Sequence, residues 1–261
     1  MKYITFNEVL GTYRSKEAGI KALAKYGYWF PVPLTPRVAG IVADLMGDGH
    51  LQHPPMWRMD YTSASVDELQ RFNQEIKDLF GFSGYVRPCT TNAWGKSYLL
   101  AVSCKPLGRV MSLCGVPPGA KVLTPFNIPL WITEDKECFR RFIMRLFDCE
   151  GTVDKDIGLE LRMWKEQSLL EKGIHFFENI KSNLLIHFDI KTTNVFLGGK
   201  NLRKDGKETR EMKLKVRKHS EVIKFAQEIG FEDKVKQERL QSIVSKILSL
   251  QKYKKDGNGG I

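Results

Sequence analysis

The chain reads as one unit written twice, and a duplicated unit leaves few folds open. A helix signal begins at Thr35-Pro36, a threonine to cap it and a proline whose fixed φ suits the first turn. Val38, Ile41, Val42, Leu45 and Met46 carry it to a stop at Gly47-Asp48-Gly49. A second helix begins after Ile132-Thr133, with Glu134 and Asp135 in its first turn, where the helix dipole favours acids. Phe139, Phe142, Ile143, Leu146 and Phe147 carry that one to Cys149-Glu150-Gly151.

The segments after each helix correspond as well. Partly alternating stretches, Trp57 to Tyr61 and Leu159 to Trp164, predict strands. Amphipathic helices come after them, Val66 to Phe80 and Ser168 to Phe188. Next come Tyr85 to Thr91 with Ser97 to Ser103, and Thr192 to Leu197 with Glu211 to Arg217. Each half closes on a short helix with an apolar-Gly-apolar ending, Val110 to Val116 and Phe225 to Phe231. The expected fold is therefore α+β, two αββαββα units, each with an antiparallel sheet.

Composition punctuates this plan. Residues 1–33 precede the first unit and hold a predicted helix, Lys16 to Lys25. The first half spans 34–116, and a Pro/Gly-rich linker spans 117–131. The second half spans 132–250, and a tail at 251–261 is expected to be disordered, since Gly257, Gly259 and Gly260 dilute it. The second half carries a longer hairpin, Gly198 to Lys207, in which Asp205-Gly206 suits a tight turn.

Charge and cysteine usage narrow the function classes. Lys and Arg number 41 against 30 Asp and Glu, giving a net charge of +11, a field that attracts polyanions such as DNA and RNA. The five cysteines form no CxxC pair, and the five histidines no HExxH spacing, so neither a disulfide frame nor a zinc site is expected. The longest apolar runs, such as Asn183 to Phe188, fall far short of a membrane span. Met1 to Leu10 lack a basic start and an apolar core, so no targeting signal is read. The expectation is a soluble intracellular protein, of a prokaryotic cytoplasm or nucleoid or of an organelle.

The two acid-glycine stops carry the chemistry. A carboxylate at a helix C-terminus faces the negative end of the dipole, at a cost of roughly 0.3–1 kcal/mol. A helix that only needed stopping would do better with a basic last turn and a bare glycine. Accepting that cost at two matched positions, Asp48 and Glu150, points to bound cations, and divalent metals with oxygen ligands would reverse the local field.

These residues also carry a resemblance. Val38 to Leu51, with its Gly47-Asp48-Gly49, resembles the first helix motif of the LAGLIDADG homing endonucleases. Phe142 to Val153, with Leu146-Phe147-Asp148-Cys149-Glu150-Gly151, resembles the second. The similarity covers about Leu34 to Leu250 and extends to Gly115-Val116-Pro117-Pro118-Gly119-Ala120-Lys121 and Ile229-Gly230-Phe231. Two motifs in one chain imply the single-chain, monomeric form, its halves related by a pseudo-twofold axis. One position departs from the pattern. Five residues before each acid the family usually has a small residue; Ala43 fits and Arg145 does not. Either the Arg145 side chain leaves the helix crossing or the helices sit further apart.

The resemblance implies a metal-dependent endonuclease that cuts both strands of a long asymmetric site, in the service of intron or intein homing. The two helices would deliver Asp48 and Glu150 to one point, and Mg²⁺ would activate water and stabilise the leaving oxygen. Carbonyls of Gly47 and Cys149 would complete the coordination, and Lys105 and Lys218 are the accessory basic candidates. Asp148 is expected to tie the helix end structurally. The strands would form two curved antiparallel sheets laid along the major groove of double-stranded DNA, every second side chain reaching bases. Candidate contacts are His50, Gln52, Arg58, Arg87, Thr91, Lys96 and Tyr98, then Arg162, Lys191, Thr193, Arg203, Lys204, Lys207, Lys213, Lys215 and Arg217. Residues 200–218 hold nine basic residues against three acids, which suits phosphate contact. Two other readings keep the fold: a maturase that binds its intron RNA, and a regulator that binds DNA without cutting it.

Overall fold

A computed structural model describes residues 2–89, 97–154 and 158–256, with side chains as far as Leu250. It divides into two compact units, residues 1–142 and 143–261.

In the first unit, β1 (Tyr3–Ile4), α1 (Phe6–Gly11), α2 (Lys16–Leu23) and β2 (Val32–Pro33) make up the N-terminal segment, and β1 pairs antiparallel with β2. Then come α3 (Pro36–Met46), β3 (Gly49–Leu51), β4 (Met59–Ser63), α4 (Val66–Phe80), β5 (Tyr85–Pro88), β6 (Tyr98–Val102) and α5 (Lys105–Leu113). The hydroxyl of Thr35 accepts the Val38 N–H at the start of α3, with Pro36 in its first turn. α4 starts on the matching Ser65–Glu68 cap and ends at Gly81, whose φ of 62° is left-handed. Every residue of α3 from Val38 to Met46 is buried.

The short helix α6 (Leu130–Thr133) leads to α7 (Lys136–Glu150), which begins in the first unit and ends in the second. Ile132-Thr133 thus belongs to α6, and Asp135 stands just outside α7, where its carboxylate accepts the Cys138 N–H at 2.8 Å. The division between units falls inside α7 rather than in the Pro/Gly-rich stretch, because Arg141 of its first half is held by Glu75 of α4 at 2.5 Å.

The second unit continues with β7 (Gly151–Asp154), β8 (Gly158–Glu166), α8 (Leu170–Phe188), β9 (Phe196–Leu202), β10 (Glu208–Val216), α9 (His219–Glu228) and α10 (Lys234–Asp256). Both four-stranded sheets are antiparallel and share one order, β3-β4-β6-β5 and β7-β8-β10-β9. The duplicated α+β unit expected from the sequence is the fold.

Two segments differ from the sequence reading. β9 starts later and runs through Gly198-Gly199, because a bulge opposite Arg210–Met212 absorbs them. The turn that closes the hairpin is at Arg203–Lys207, with Gly206 at φ 78°. At the C-terminus, α10 continues to Asp256, so residues 251–256 are helical where a disordered tail was expected; Leu240 and Ile247 anchor the helix. Residues 257–261 lie outside the described chain.

In each unit one face of the sheet packs on helices. Tyr61 of β4 stacks on Phe72 of α4 with ring centroids 4.7 Å apart. Gly173 of α8 lies so close to Met212 that a Cβ there would stand 2.5 Å from its sulfur. Leu51, Met59 and Val102 in the first sheet, and Val153, Leu159 and Val216 in the second, are buried on these faces.

Candidate nucleic-acid interface and acid turns

Each unit contains one turn in which a helix ends at an acid and the chain re-enters a strand through glycine. Asp48 is exposed between α3 and β3, and Glu150 is the half-buried last residue of α7, directly before β7. The glycines are required by the same collision. A Cβ on Gly49 would lie 2.7 Å from the Leu45 backbone, and one on Gly151 would lie 2.5 Å from the Phe147 carbonyl oxygen. In both turns the obstructing residue sits four positions back, in the helix's last turn, so the strand leaves by folding tightly over the helix end.

A lysine amine occupies the backbone beside each acid. Lys121 donates to the Gly49 carbonyl at 2.7 Å. Lys236, near the start of α10, donates to the carbonyls of Phe147, at 3.2 Å, and Asp148. A cation on the last carbonyls of α7 offsets the dipole penalty that Glu150 incurs. Lys105 and Lys218, the accessory candidates from sequence, are exposed at the first residue of α5 and the N-cap of α9. The sequence did hold a signal for the other pair. Lys121 and Lys236 each stand five residues beyond the closing apolar residue of their half, Val116 and Phe231.

Buried charges brace the two helices differently. Asp44 of α3 is fully buried and accepts from Arg71 at 2.8 Å; Arg71 also lies 3.7 Å from Glu75, which Arg141 holds. Burial raises the Glu75 carboxyl above the usual range, opposed by Arg141 and Arg71. In the second unit the fully buried Arg145 turns its guanidinium to Asp148 at 2.6 Å and Glu232 at 3.3 Å. Asp148 also accepts the backbone N–H groups of Glu232 and Asp233, tying the approach to α10 to the end of α7.

The sheet faces away from the helices carry the polar side chains. Register places His50, Asp60, Ala101 and Tyr85 in one row of the first sheet, and Thr62, Leu99 and Arg87 in the next. Asp60 is 7% exposed and gathers its neighbours: Arg58 donates to both of its oxygens, at 2.8 and 2.9 Å, and Gln52 donates at 2.8 Å. His50 is held below its ordinary pKa by burial, with Asp60 pulling the other way. Tyr98 falls on the opposite, helix-side parity with Leu100 and Val102, so the register moves it off this face. Thr91 and Lys96 lie outside the described residues.

The second sheet has the same row plan with different side chains. Thr152, Glu160 and Lys215 form one row, Arg162, Lys213 and Phe196 the next, and Trp164 and Glu211 the one after. Glu160, 6% exposed, sits in the register position of Asp60 and meets Lys215 at 2.7 Å, Arg162 at 3.5 Å and Lys213 at 3.9 Å. This pair of buried acids on the open faces was not read from sequence; it emerges only from register.

The remaining candidates are scattered. Thr193 braces the sheet edge, its hydroxyl accepting the Lys215 N–H, while Lys191 is exposed with its backbone bound to Glu221. At the hairpin tip Arg203 pairs with Asp205 at 3.2 Å, Lys204 is exposed, and Lys207 reaches Glu166 at 3.4 Å. Arg217 is exposed past the end of β10, at a cavity of about 350 Å³ shared with His219 and Lys246.

No protein-family model matches the chain. The chain is 25% identical over 181 residues to the replication factor C small subunit of Methanocaldococcus jannaschii, 63% of this chain and 10% of that protein. It is 33% identical over 100 residues to the tRNA-splicing ligase RtcB of Methanopyrus kandleri, 36% of this chain and 10% of that protein. The chain thus spans about a tenth of the length of these relatives. Among solved structures, full-length DUF199/WhiA from Thermatoga maritima aligns with a TM-score of 0.52 at 14% identity, over 84% of this chain and 62% of that one. The isolated N-terminal LAGLIDADG domain of WhiA aligns at 0.47 and 15% identity, over 85% and 96% of the two chains. The likeness to full-length WhiA is one of fold. The homing endonuclease I-WcaI, solved on its DNA recognition sequence, aligns at 0.49 and 10% identity, over 90% of this chain and 98% of that one. At such identities the likeness speaks for the fold alone. Among the described residues, no helix is long and apolar enough to cross a membrane.

Proposed function

We propose that this chain is a monomeric, site-specific endonuclease that cuts both strands of a long asymmetric DNA target. The observation that carries the reading is the acid turn built twice. A carboxylate ends a helix against its dipole, a glycine clears the helix backbone, and a lysine amine lies on a neighbouring carbonyl. Nothing about stopping a helix asks for all three. A non-cleaving regulator or an intron-RNA maturase could use the same sheet faces, but neither role calls on the two acid turns.

The donor set suits a hard divalent cation. The ligands would be the Asp48 carboxylate with the Gly47 carbonyl in one turn, and the Glu150 carboxylate with the Cys149 carbonyl in the other. Such a set of few carboxylates and carbonyl oxygens matches Mg²⁺, which keeps waters of its own and, when bound, lowers the pKa of a water that attacks phosphorus. Lys121 and Lys236 would hold positive charge where negative charge develops on the phosphate. The open sheet faces would bind the duplex and choose the sequence. Two relatives with unrelated names each carry a stretch like this chain in a tenth of their length, as a mobile module shared between hosts would, and this supports a role in homing.

Incubating the protein with Mg²⁺ and a randomised duplex pool tests the reading. The expected result is enrichment of one cleaved sequence. Enrichment of a bound, uncut duplex would support the regulator, and tight binding of structured RNA with no duplex cut would support the maturase.

A further inference from the structure

The second sheet exposes two aromatic rings on a face otherwise made of paired charges. Trp164 is 37% exposed and Phe196 is 38% exposed. Register fixes their side: Phe196 pairs with Lys213, which pairs with Arg162, and Trp164 follows Arg162 by two residues on the same strand. The opposite face, with Met163 and Met212, is the one covered by α8.

The polar groups around the rings are satisfied by one another. The Glu211 carboxylate folds into the bulge, where it accepts from Gly199 N–H at 3.3 Å and Lys213 at 3.1 Å; a Cβ on Gly198 would strike it at 2.2 Å. Gly199 leaves the ground beside the Trp164 ring bare, since a Cβ there would lie 3.7 Å from the ring edge. Lys215 stands 5.2 Å from the centre of the Phe196 ring. The result is an apolar pair set among cations. That combination selects a polyanion which also offers something apolar at its surface. In the major groove the thymine C5-methyl is the one apolar group on a base edge.

We infer that Trp164 and Phe196 read thymine methyl groups in the half of the target bound by the second sheet. This rests on the reading of the sheet face as a major-groove surface. Arg162, Lys213 and Lys215 would hold the backbone and base edges while the rings choose thymine over the other bases.

The test uses the full-length protein and a duplex enriched from a random pool in Ca²⁺. Each thymine of that duplex is replaced in turn by deoxyuridine, which removes only the methyl. At the positions read by the rings, the dissociation constant of the unmodified protein should rise about fourfold per methyl removed. In Trp164→Ala and Phe196→Ala proteins that penalty should disappear, and Trp164→Phe should keep part of it. Both rings are exposed enough for these variants to fold, and an unchanged unfolding midpoint confirms that they have. Equal affinity of the unmodified protein for every thymine and uracil duplex overturns the inference and leaves DNA binding standing. A uracil penalty that survives in both alanine variants does the same. Enrichment of no duplex at all overturns the DNA reading and this inference with it.

Discussion

In the first sheet, Ala101 and Leu99 of β6 hold the register positions that Lys215 and Lys213 hold in β10 of the second. Each sheet keeps a buried acid one row in, Asp60 or Glu160, but the groups gathered around it differ. Asp60 is met by Arg58 and Gln52, which leave the strand ends as a planar fork. Glu160 is met by three cations carried within the strands themselves. The acid turns are alike and the open sheet faces are not. Under the proposed function, two like turns would perform one chemistry on two strands, and two unlike faces would make the target asymmetric.

The buried braces should give the largest difference between units. Arg145→Ala breaks a fully buried ion pair with Asp148 and should cost about 3–5 kcal/mol, read by chemical denaturation. Arg71→Ala, whose side chain is partly exposed, should cost clearly less. Equal losses would remove the contrast between the two helices.

Next come the lysines beside the acids. Lys121→Met and Lys236→Met should each lower the cleavage rate about a hundredfold. Binding of the selected duplex in Ca²⁺ should change little. Unchanged cleavage in both would reduce these amines to caps on backbone carbonyls, and loss in one alone would show the turns to be unequal.

The salt dependence of binding sharpens the contrast between faces. Replacing Lys213 and Lys215 by alanine should lower the slope of log affinity against log salt by about 0.9 for each phosphate no longer neutralised. Replacing Arg58 and Arg87 should lower it less, because Asp60 engages Arg58 with both oxygens, whereas Lys213, Lys215 and Arg162 share Glu160. Equal changes would mean that the two faces use their charges in the same way.

The smallest expected effect is the pH response of His50. Burial depresses its folded pKa below the ordinary value near 6.5, so below that pH the unfolded chain takes up a proton the folded one resists. Stability should therefore fall as pH drops below 6.5, and His50→Gln should flatten that fall. Denaturation at pH 7.5 and 5.5 checks it, and an unaltered slope would contradict the assignment.

Much of this was legible in the sequence because its signals are local. Thr35-Pro36 and the two acid-glycine stops mark helix ends within a few residues of themselves. The rest depends on partners far along the chain. Lys121 and Lys236 reach carbonyls 72 and 89 residues away along the chain, whereas Lys105 and Lys218 stand out locally at strand ends. Strand faces hang on register, which is why Tyr98 was placed with the polar set and why the matched Asp60 and Glu160 went unnoticed. The glycines at 198 and 199 read as a turn, whereas a bulge keeps them in β9. Gly257, Gly259 and Gly260 read as a disordered tail from 251, whereas α10, anchored by Leu240 and Ile247, continues to Asp256.

If the two acid turns cut DNA, their carboxylate charges must carry the rate. Asp48→Asn and Glu150→Gln keep shape and remove the charge that would hold a metal. With Mg²⁺ and the selected duplex, each single variant should lose double-strand cleavage by orders of magnitude while its affinity in Ca²⁺ stays near that of the unmodified protein. Full double-strand cleavage by either variant would contradict the account.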